Sequence, residues 1–356
     1  MVTVSLCMIV RNEEHVLARC LDSVKDAMDE IIIVDTGSED RTKEIAGSYT
    51  EKIYDFVWAD DFAAARNAAF SRAEMEYCMW VDADDIMSGD ALEQLIRWKT
   101  ETDGTADVVM MKYVAGVDEE GNETFCYYRE RLLKRACGFR WKGRVHEAIE
   151  PTGTVEYQNI CVEHRSRKKK YGDRNLRIYE KMKEEGEIFS TRDLFYYARE
   201  LYYHRRYEEA VGCFLFFLKR EDAFSENLVE ACRYMAGALA ELGKGKEALG
   251  FLYQGLSYRV PGGELCCDIG RYFMDCQMWE QAAFWYEAAL HSRKKERAGG
   301  FVEEEAYGYV PAVQLCVCYS RMGEQKKAYE CHKLSGQYKP YGKEYLKNEE
   351  YFRNME

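Results

Sequence analysis

No run of about 18 apolar residues occurs anywhere in the 356-residue chain, so no segment reads as a membrane-spanning helix. A GxGxxG loop and a Walker sequence are missing as well, and phosphate charge would have to be met by a metal ion and basic side chains. The 14 cysteines form no CxxC pair, which excludes a zinc ribbon and a secreted disulfide framework. They read as small buried hydrophobes in a reducing compartment. Positive charge is in deficit: the formal net charge of -13 disfavours general binding to nucleic acid or an anionic membrane. The first residues run straight into a strand-like segment with no basic, apolar and cleavage regions in series. The expectation is a soluble cytoplasmic protein without an integral membrane segment.

With 47% hydrophobic and 32% charged residues the chain has a globular balance, and its length suits two domains with separate cores. Val2 to Val10 is apolar and β-rich, and Asn12-Glu13-Glu14 then opens a helix with apolar positions at Val16, Leu17, Cys20, Leu21 and Val24. Glu30 to Asp35 is a second buried strand ending on a carboxylate. Thr36 to Thr42 supplies a tight turn and a helix cap. Strand, helix, strand, helix predicts a parallel sheet in an α/β domain.

Tyr77 to Val81 reads as another buried strand, and Asp82, Asp84 and Asp85 arrive together where it ends. In an open α/β sheet the ligand crevice lies at the carboxyl ends of the strands, and carboxylates packed there repel one another unless a cation or ordered hydrogen bonds intervene. The plain alternative is a solvated turn with an Asp helix cap, since Ser88 and Asp90 begin another helix. Asp35 would share that rim, where an acid after the second strand commonly hydrogen-bonds a base or ribose. Between these acids lies Asp61 to Phe70, whose alanines favour helix and whose apolar segment after Asp61 has Arg66 and Asn67 as its only strongly polar groups. Arg66 either points to water or, beside a carboxylate cluster, grips a diphosphate.

Four motifs, Cys7-Met8-Ile9-Val10-Arg11-Asn12-Glu13-Glu14, Ile33-Val34-Asp35-Thr36-Gly37-Ser38, Ala65-Arg66-Asn67 and Val81-Asp82-Ala83-Asp84-Asp85, resemble in order and spacing the family-2 glycosyltransferases of GT-A fold. The likeness covers mainly the first 90 residues or so. It implies a nucleotide-sugar donor such as a UDP-sugar, with Mn2+ or Mg2+. It further implies that Asp35 contacts the base, Arg66 the nucleotide or its diphosphate, and Asp82 the ribose or donor sugar. Asp84 matches the principal metal-binding acid and Asp85 its neighbour, while the backbone around Val10, with Asn12 and Glu13, lines the base pocket. A cation bridging both phosphates would stabilise the leaving nucleoside diphosphate.

An inverting transfer, which the resemblance also implies, needs a base opposite the leaving group. Trp141-Lys142-Gly143-Arg144-Val145-His146-Glu147 is the expected source: Trp141 as an apolar wall for a sugar ring, and Glu147 or His146 as the proton acceptor. A hydrogen-bonded pair that merely fixes the loop is the competing reading. His164 is expected to complete the metal shell, as a His late in the domain does in some GT-A enzymes. Tyr127 to Arg135 reads as a strand carrying ordinary surface charge, or as a frame for the acceptor or phosphate side of the cleft.

After the basic run Arg165 to Lys170, taken as a solvated linker, helical periodicity replaces strand signals. Similar small and large positions recur in four units, from Ala198 to Phe217, Ala236 to Leu252, Gly270 to Ala289 and Cys316 to His332, with an insertion near Ser292 to Glu305. These resemble tetratricopeptide (TPR) repeats, helix pairs whose stacked solenoid offers a groove for a peptide or partner protein. The expected layout is a GT-A domain over 1–170, a linker helix over 171–192, TPR-like repeats over 193–340 and a tail over 341–356.

The combined expectation is a metal-dependent glycosyltransferase with a peptide or protein acceptor held by the repeats, similar to bacterial S-glycosyltransferases of bacteriocin peptides. A lipid-linked or saccharide acceptor, and repeats that serve a homodimer, stay open. The rival reading is a TPR-like scaffold whose transferase domain is inactive. Hydrolysis of a nucleotide sugar is a weaker enzymatic alternative.

Overall fold

The computed structural model describes residues 1–118, 121–165, 172–294 and 300–353, which fall into two compact units, Met1–Ile188 and Phe189–Glu356. The basic run lies for the most part, at residues 166–170, outside the described residues. No helix among the described residues is long and apolar enough to cross a membrane.

The first unit runs β1 (Val4–Val10), α1 (Leu17–Val24), β2 (Glu30–Asp35), α2 (Thr42–Gly47), β3 (Ile53–Asp55), α3 (Phe62–Phe70), β4 (Tyr77–Met79), β5 (Asp85–Ile86), α4 (Gly89–Glu101), β6 (Val108–Val117), β7 (Glu123–Lys134), β8 (Val155–His164) and α5 (Arg174–Glu184). Its strands lie in the order β3-β2-β1-β4-β7-β6-β8-β5. β3, β2, β1 and β4 are parallel, and β7 runs antiparallel to both β4 and β6. The chain winds outward from β1 to β3, then returns to lay β4 on the other side of β1. That reversal opens a crevice at the carboxyl ends of β1 and β4, where Val10 and Trp80 to Asp85 emerge. Val4, Leu6, Met8, Leu17, Leu21, Ile33 and Met79, all buried, fill one core of this sheet and its helices.

The first helix begins at Leu17, later than the Asn12-Glu13-Glu14 signal suggests, because Asn12 sits in the left-handed region at φ 55 and breaks the chain into a turn. Asp61 caps α3 by accepting from Ala64 N at 2.8 Å, and Ser88 caps α4 by accepting from Ala91 N at 3.3 Å.

The second unit is all helix apart from one short extended segment. It contains α6 (Thr191–Tyr203), α7 (Tyr207–Phe217), α8 (Ser225–Glu241), α9 (Gly245–Gly255), α10 (Gly263–Asp275), α11 (Trp279–His291), α12 (Tyr309–Arg321), α13 (Gln325–Tyr338) and α14 (Lys343–Arg353). The helices pair as α6/α7, α8/α9, α10/α11 and α12/α13, and the recurring small residues Ala198, Ala210, Ala236, Ala248, Ala282 and Ala328 are buried where partners meet. Gly270 serves the same end, since a Cβ there would come 2.9 Å from the Tyr286 ring. Each hairpin turns through one left-handed residue, Arg205, Gly243, Gln277 or Gly323. The first helices of successive hairpins also touch, α6 on α8, α8 on α10 and α10 on α12, forming one continuous layer. The expected tail is helical over Lys343–Arg353 and packs on α13.

Candidate active site

At the end of β2, Asp35 is buried and its Oδ1 accepts from Gly37 N at 2.9 Å and Ser38 N at 2.8 Å. Its Oδ2 is buried without a hydrogen-bond partner among the described residues. A buried carboxylate oxygen left open costs free energy unless something donates to it. Asn12 and Glu13 lace the end of β1 to this turn: Asn12 Oδ1 accepts from Glu39 N at 2.8 Å, Asn12 N donates to Ser38 Oγ at 3.0 Å, and Glu13 N donates to Thr42 Oγ1 at 2.8 Å. Val10 O accepts from Thr36 N at 2.9 Å.

Arg66 projects from α3 and is buried between two indoles, with its guanidinium carbon 4.8 Å from the Trp80 ring and 4.9 Å from the Trp141 ring. Its Nη2 donates to Asp82 Oδ1 at 2.7 Å and its Nε to Glu147 Oε1 at 2.6 Å. Burial disfavours the charged form of Asp82, but Arg66 and then Arg131 outweigh it and hold the carboxyl at about 2. Asn67, the next residue, fixes the loop that carries Glu147: its side-chain amide donates to Trp141 O at 3.0 Å and accepts from Trp141 N at 2.9 Å.

Trp141 is 3% exposed and packs edge-on against Trp80 at 5.0 Å, so its ring is covered by protein. His146 adopts φ 49 and stacks on Tyr179 at 6.5 Å. Of the two base candidates, Glu147 is the one joined through Arg66 to Asp82.

The expected metal residues converge. Asp85 pairs in register with His164 across β5 and β8, and the ligand atoms of Asp84, Asp85 and His164 all lie within 4.8 Å of one another. His164 Nδ1 stands 3.5 Å from both Asp84 Oδ1 and Asp85 Oδ1. Asp85 raises the imidazole above its ordinary value, with Asp84 adding to this and burial opposing it. The carboxylate of Asp85 is fully buried: its Oδ1 accepts from Tyr113 OH at 2.9 Å, its Oδ2 accepts from Asp82 N at 3.0 Å, and Arg131 Nη2 lies 3.3 Å from Oδ2.

Tyr113 and Arg131 are residues that sequence reasoning missed. Ordinary surface charge is the wrong description of this part of β7: Arg131 is fully buried, its Nη1 donating to Trp80 O at 3.1 Å, and Glu130 is 6% exposed and paired with Arg129. The reason is topological. β7 is an interior strand between β4 and β6, and Arg131 on it is enclosed by the Trp80 and Tyr113 rings beside the Asp85 carboxylate. The available signal was Arg129-Glu130-Arg131, a carboxylate flanked by two guanidinium groups within an otherwise aromatic and aliphatic stretch from Tyr127 to Leu133.

Carboxylates and an open acceptor oxygen thus gather on the rim of the mixed sheet, at its topological switch point. Residues 5–155 match the model of Glycosyl transferase family 2. Residues 5–155 of the first unit are thus a region similar to Glycosyl transferase family 2, and TPR-like helix pairs follow in the second unit. The chain is 36% identical over 150 residues to a TPR repeat-containing protein of Synechococcus elongatus, covering 42% of this chain and 36% of that protein. It is 27% identical over 225 residues to the SPbeta prophage-derived glycosyltransferase SunS of Bacillus subtilis, covering 59% of this chain and 51% of SunS. The chain thus spans about half or less of these curated relatives. Among solved structures, glucosyl-3-phosphoglycerate synthase from Mycobacterium tuberculosis, in complex with Mn2+, UDP and phosphoglyceric acid, overlaps with a TM-score of 0.28 at 18% identity, covering 32% of this chain and 43% of that one. That overlap is too slight to bear on function.

Proposed function

We propose that this protein is a metal-dependent, inverting glycosyltransferase that moves a sugar from a nucleoside-diphosphate donor to a peptide or protein acceptor. Residues 1–170 would carry the transfer, and the repeats over 193–340 would hold the acceptor. The observation that carries the reading is the Asp84, Asp85 and His164 cluster beside the Asp82, Arg66 and Glu147 chain, in the domain whose Asp35 keeps a buried acceptor oxygen open.

Each group has a task its chemistry suits. Asp35 Oδ2 accepts an N–H of the base, in a pocket lined by Val10, Asn12 and Glu13. Asp82 accepts from a hydroxyl of the ribose or donor sugar and stays ionised because Arg66 and Arg131 face it. Carboxylate oxygens and one imidazole nitrogen suit Mn2+ or Mg2+, so Asp84 and His164 would hold the ion, with Asp85 steadied beside them by Arg131 and Tyr113. A divalent cation there supplies charge neutralisation to the two phosphates of the leaving group.

Glu147 takes the acceptor proton as the acceptor atom bonds to the anomeric carbon and the bond from that carbon to the diphosphate breaks. The products are the glycosylated acceptor and a nucleoside diphosphate. His146 is the second candidate for the proton. Arg66 acts as a positioning residue that holds Asp82 and Glu147 in one frame.

The test is release of nucleoside diphosphate by the full chain from UDP- and GDP-sugars, offered singly with Mn2+ and a mixture of cysteine-, serine- and threonine-containing peptides as acceptors. One donor should be turned over, the reaction should stop on chelation, and Glu147→Gln should slow it. A folded protein that turns over no donor would sink the reading.

A further inference from the structure

Between α11 and α12, residues Gly300 to Tyr307 (Gly-Phe-Val-Glu-Glu-Glu-Ala-Tyr) leave the helical pattern and run as an extended segment ending in one 3-10 turn, Glu304–Tyr307. This strap lies along the layer of first helices. Phe301 sits under Arg199 of α6, with 4.8 Å from guanidinium carbon to ring centre. Glu303 accepts from Arg233 of α8 at 2.9 Å. Glu264 of α10 accepts from Glu303 N at 3.1 Å and from Tyr307 OH at 2.7 Å. Glu305 accepts from Lys339, just after α13, at 2.8 Å. Val302 and Ala306, at 3% and 5% exposed, fill apolar positions between these polar contacts.

The floor is cut to admit a main chain. A Cβ on Gly263, the first residue of α10, would stand 2.4 Å from Ala306 O, and one on Gly262 would stand 2.7 Å from Tyr307 OH. Only a small cavity of about 30 Å³ remains under the strap, lined by Glu230, Arg259 and Phe301 among others. Arg199, whose guanidinium faces Phe301, keeps a buried Nε without a hydrogen-bond partner among the described residues. Glycines that clear the backbone, cations placed at successive acids and an aromatic seat at each end are what a groove for an extended peptide requires.

We infer that the inner layer of the repeats is a binding groove for an extended acidic segment bounded by aromatic residues, and that Gly300 to Tyr307 occupies it in cis. A partner peptide of the same character exchanges with the strap. Tethering gives the strap a high effective concentration, so a free peptide binds the intact protein weakly and binds well once the strap is weakened. The inference does not depend on sugar transfer, and its test reads binding alone.

The probe is a fluorescein-labelled peptide of sequence GFVEEEAY, titrated by fluorescence anisotropy into the full chain and into a Phe301→Ser, Tyr307→Ser double variant. The variant should bind at least about tenfold more tightly than the parent, and a peptide of scrambled order should not bind. Equal binding by parent and variant, with helical content and melting of the variant unchanged, would overturn the inference. Hydrogen exchange on the unmodified protein gives a second test that needs no variant. Strap amides should exchange at least about tenfold faster than the central amides of α8 and α10, because the strap leaves while the helices stay folded. Exchange of strap and helices at one common rate would mean that the segment opens only when the repeats unfold, and would overturn the inference as well.

Discussion

Arg66 reaches Asp82 through Nη2 at 2.7 Å and Glu147 through Nε at 2.6 Å, so a single guanidinium couples the end of a central strand to a distant loop. Removing it leaves two carboxylates facing each other in a space walled by indoles. Arg66→Leu should cost about 3 kcal/mol of stability, the low end for breaking a buried ion pair, because the side chain of Asp82 is 39% exposed and water compensates part of the loss. Urea denaturation measures it. An unchanged midpoint would mean that Arg66 does not hold this frame.

Asp82 gives the site a pH signature. Its folded pKa of about 2 lies below the ordinary carboxylate value near 3.9, so its ionised form stabilises the fold above that ordinary value. The contribution is lost as pH falls from about 4 to about 2. The wild-type protein should therefore lose stability across that window more steeply than Asp82→Asn, in urea titrations at successive pH values.

Asp35→Asn is a mild change that isolates one atom. The amide oxygen can keep accepting from Gly37 N and Ser38 N, while the open Oδ2 becomes an NH2 donor. The fold should persist and nucleotide affinity should fall about ten- to a hundredfold, as for a lost buried hydrogen bond. Calorimetry on the variant checks both melting and binding.

Glu147→Gln tests the base. The amide oxygen still accepts from Arg66 Nε, so position is kept while proton affinity is lost. The turnover number should fall about 10²- to 10⁴-fold with nucleotide affinity unchanged. A matching drop in nucleotide affinity would assign Glu147 to donor binding instead.

Much of this was legible in the sequence for a local reason. Buried strands that end on acids announce a rim, which is how Asp35, Asp82, Asp84 and Asp85 stood out, and recurrent small residues announce helix pairs. Two features depend on non-local pairing, and only one of them, the approach of His164 to the acids, was expected, through the family resemblance. The contact of His164 with Asp85 is set by the register of β5 on β8, and the burial of Arg131 follows from the place of β7 between β4 and β6. The insertion after α11 could be seen as an irregular spacing, but the groove it fills exists only once α6, α8, α10 and α12 stand side by side. Trp141 shows the opposite case: its residue type suits a sugar wall, yet its neighbours Trp80 and Arg66 enclose it.

The most direct measurement is calorimetric titration of UDP and of GDP, with and without Mn2+, into the wild-type protein and into Asp84→Asn. The account predicts that one nucleotide binds the wild type only when the metal is present, and that the variant melts normally but no longer binds it. Failure of both nucleotides to bind the wild type with metal, or equal metal-dependent binding by the variant, would contradict it.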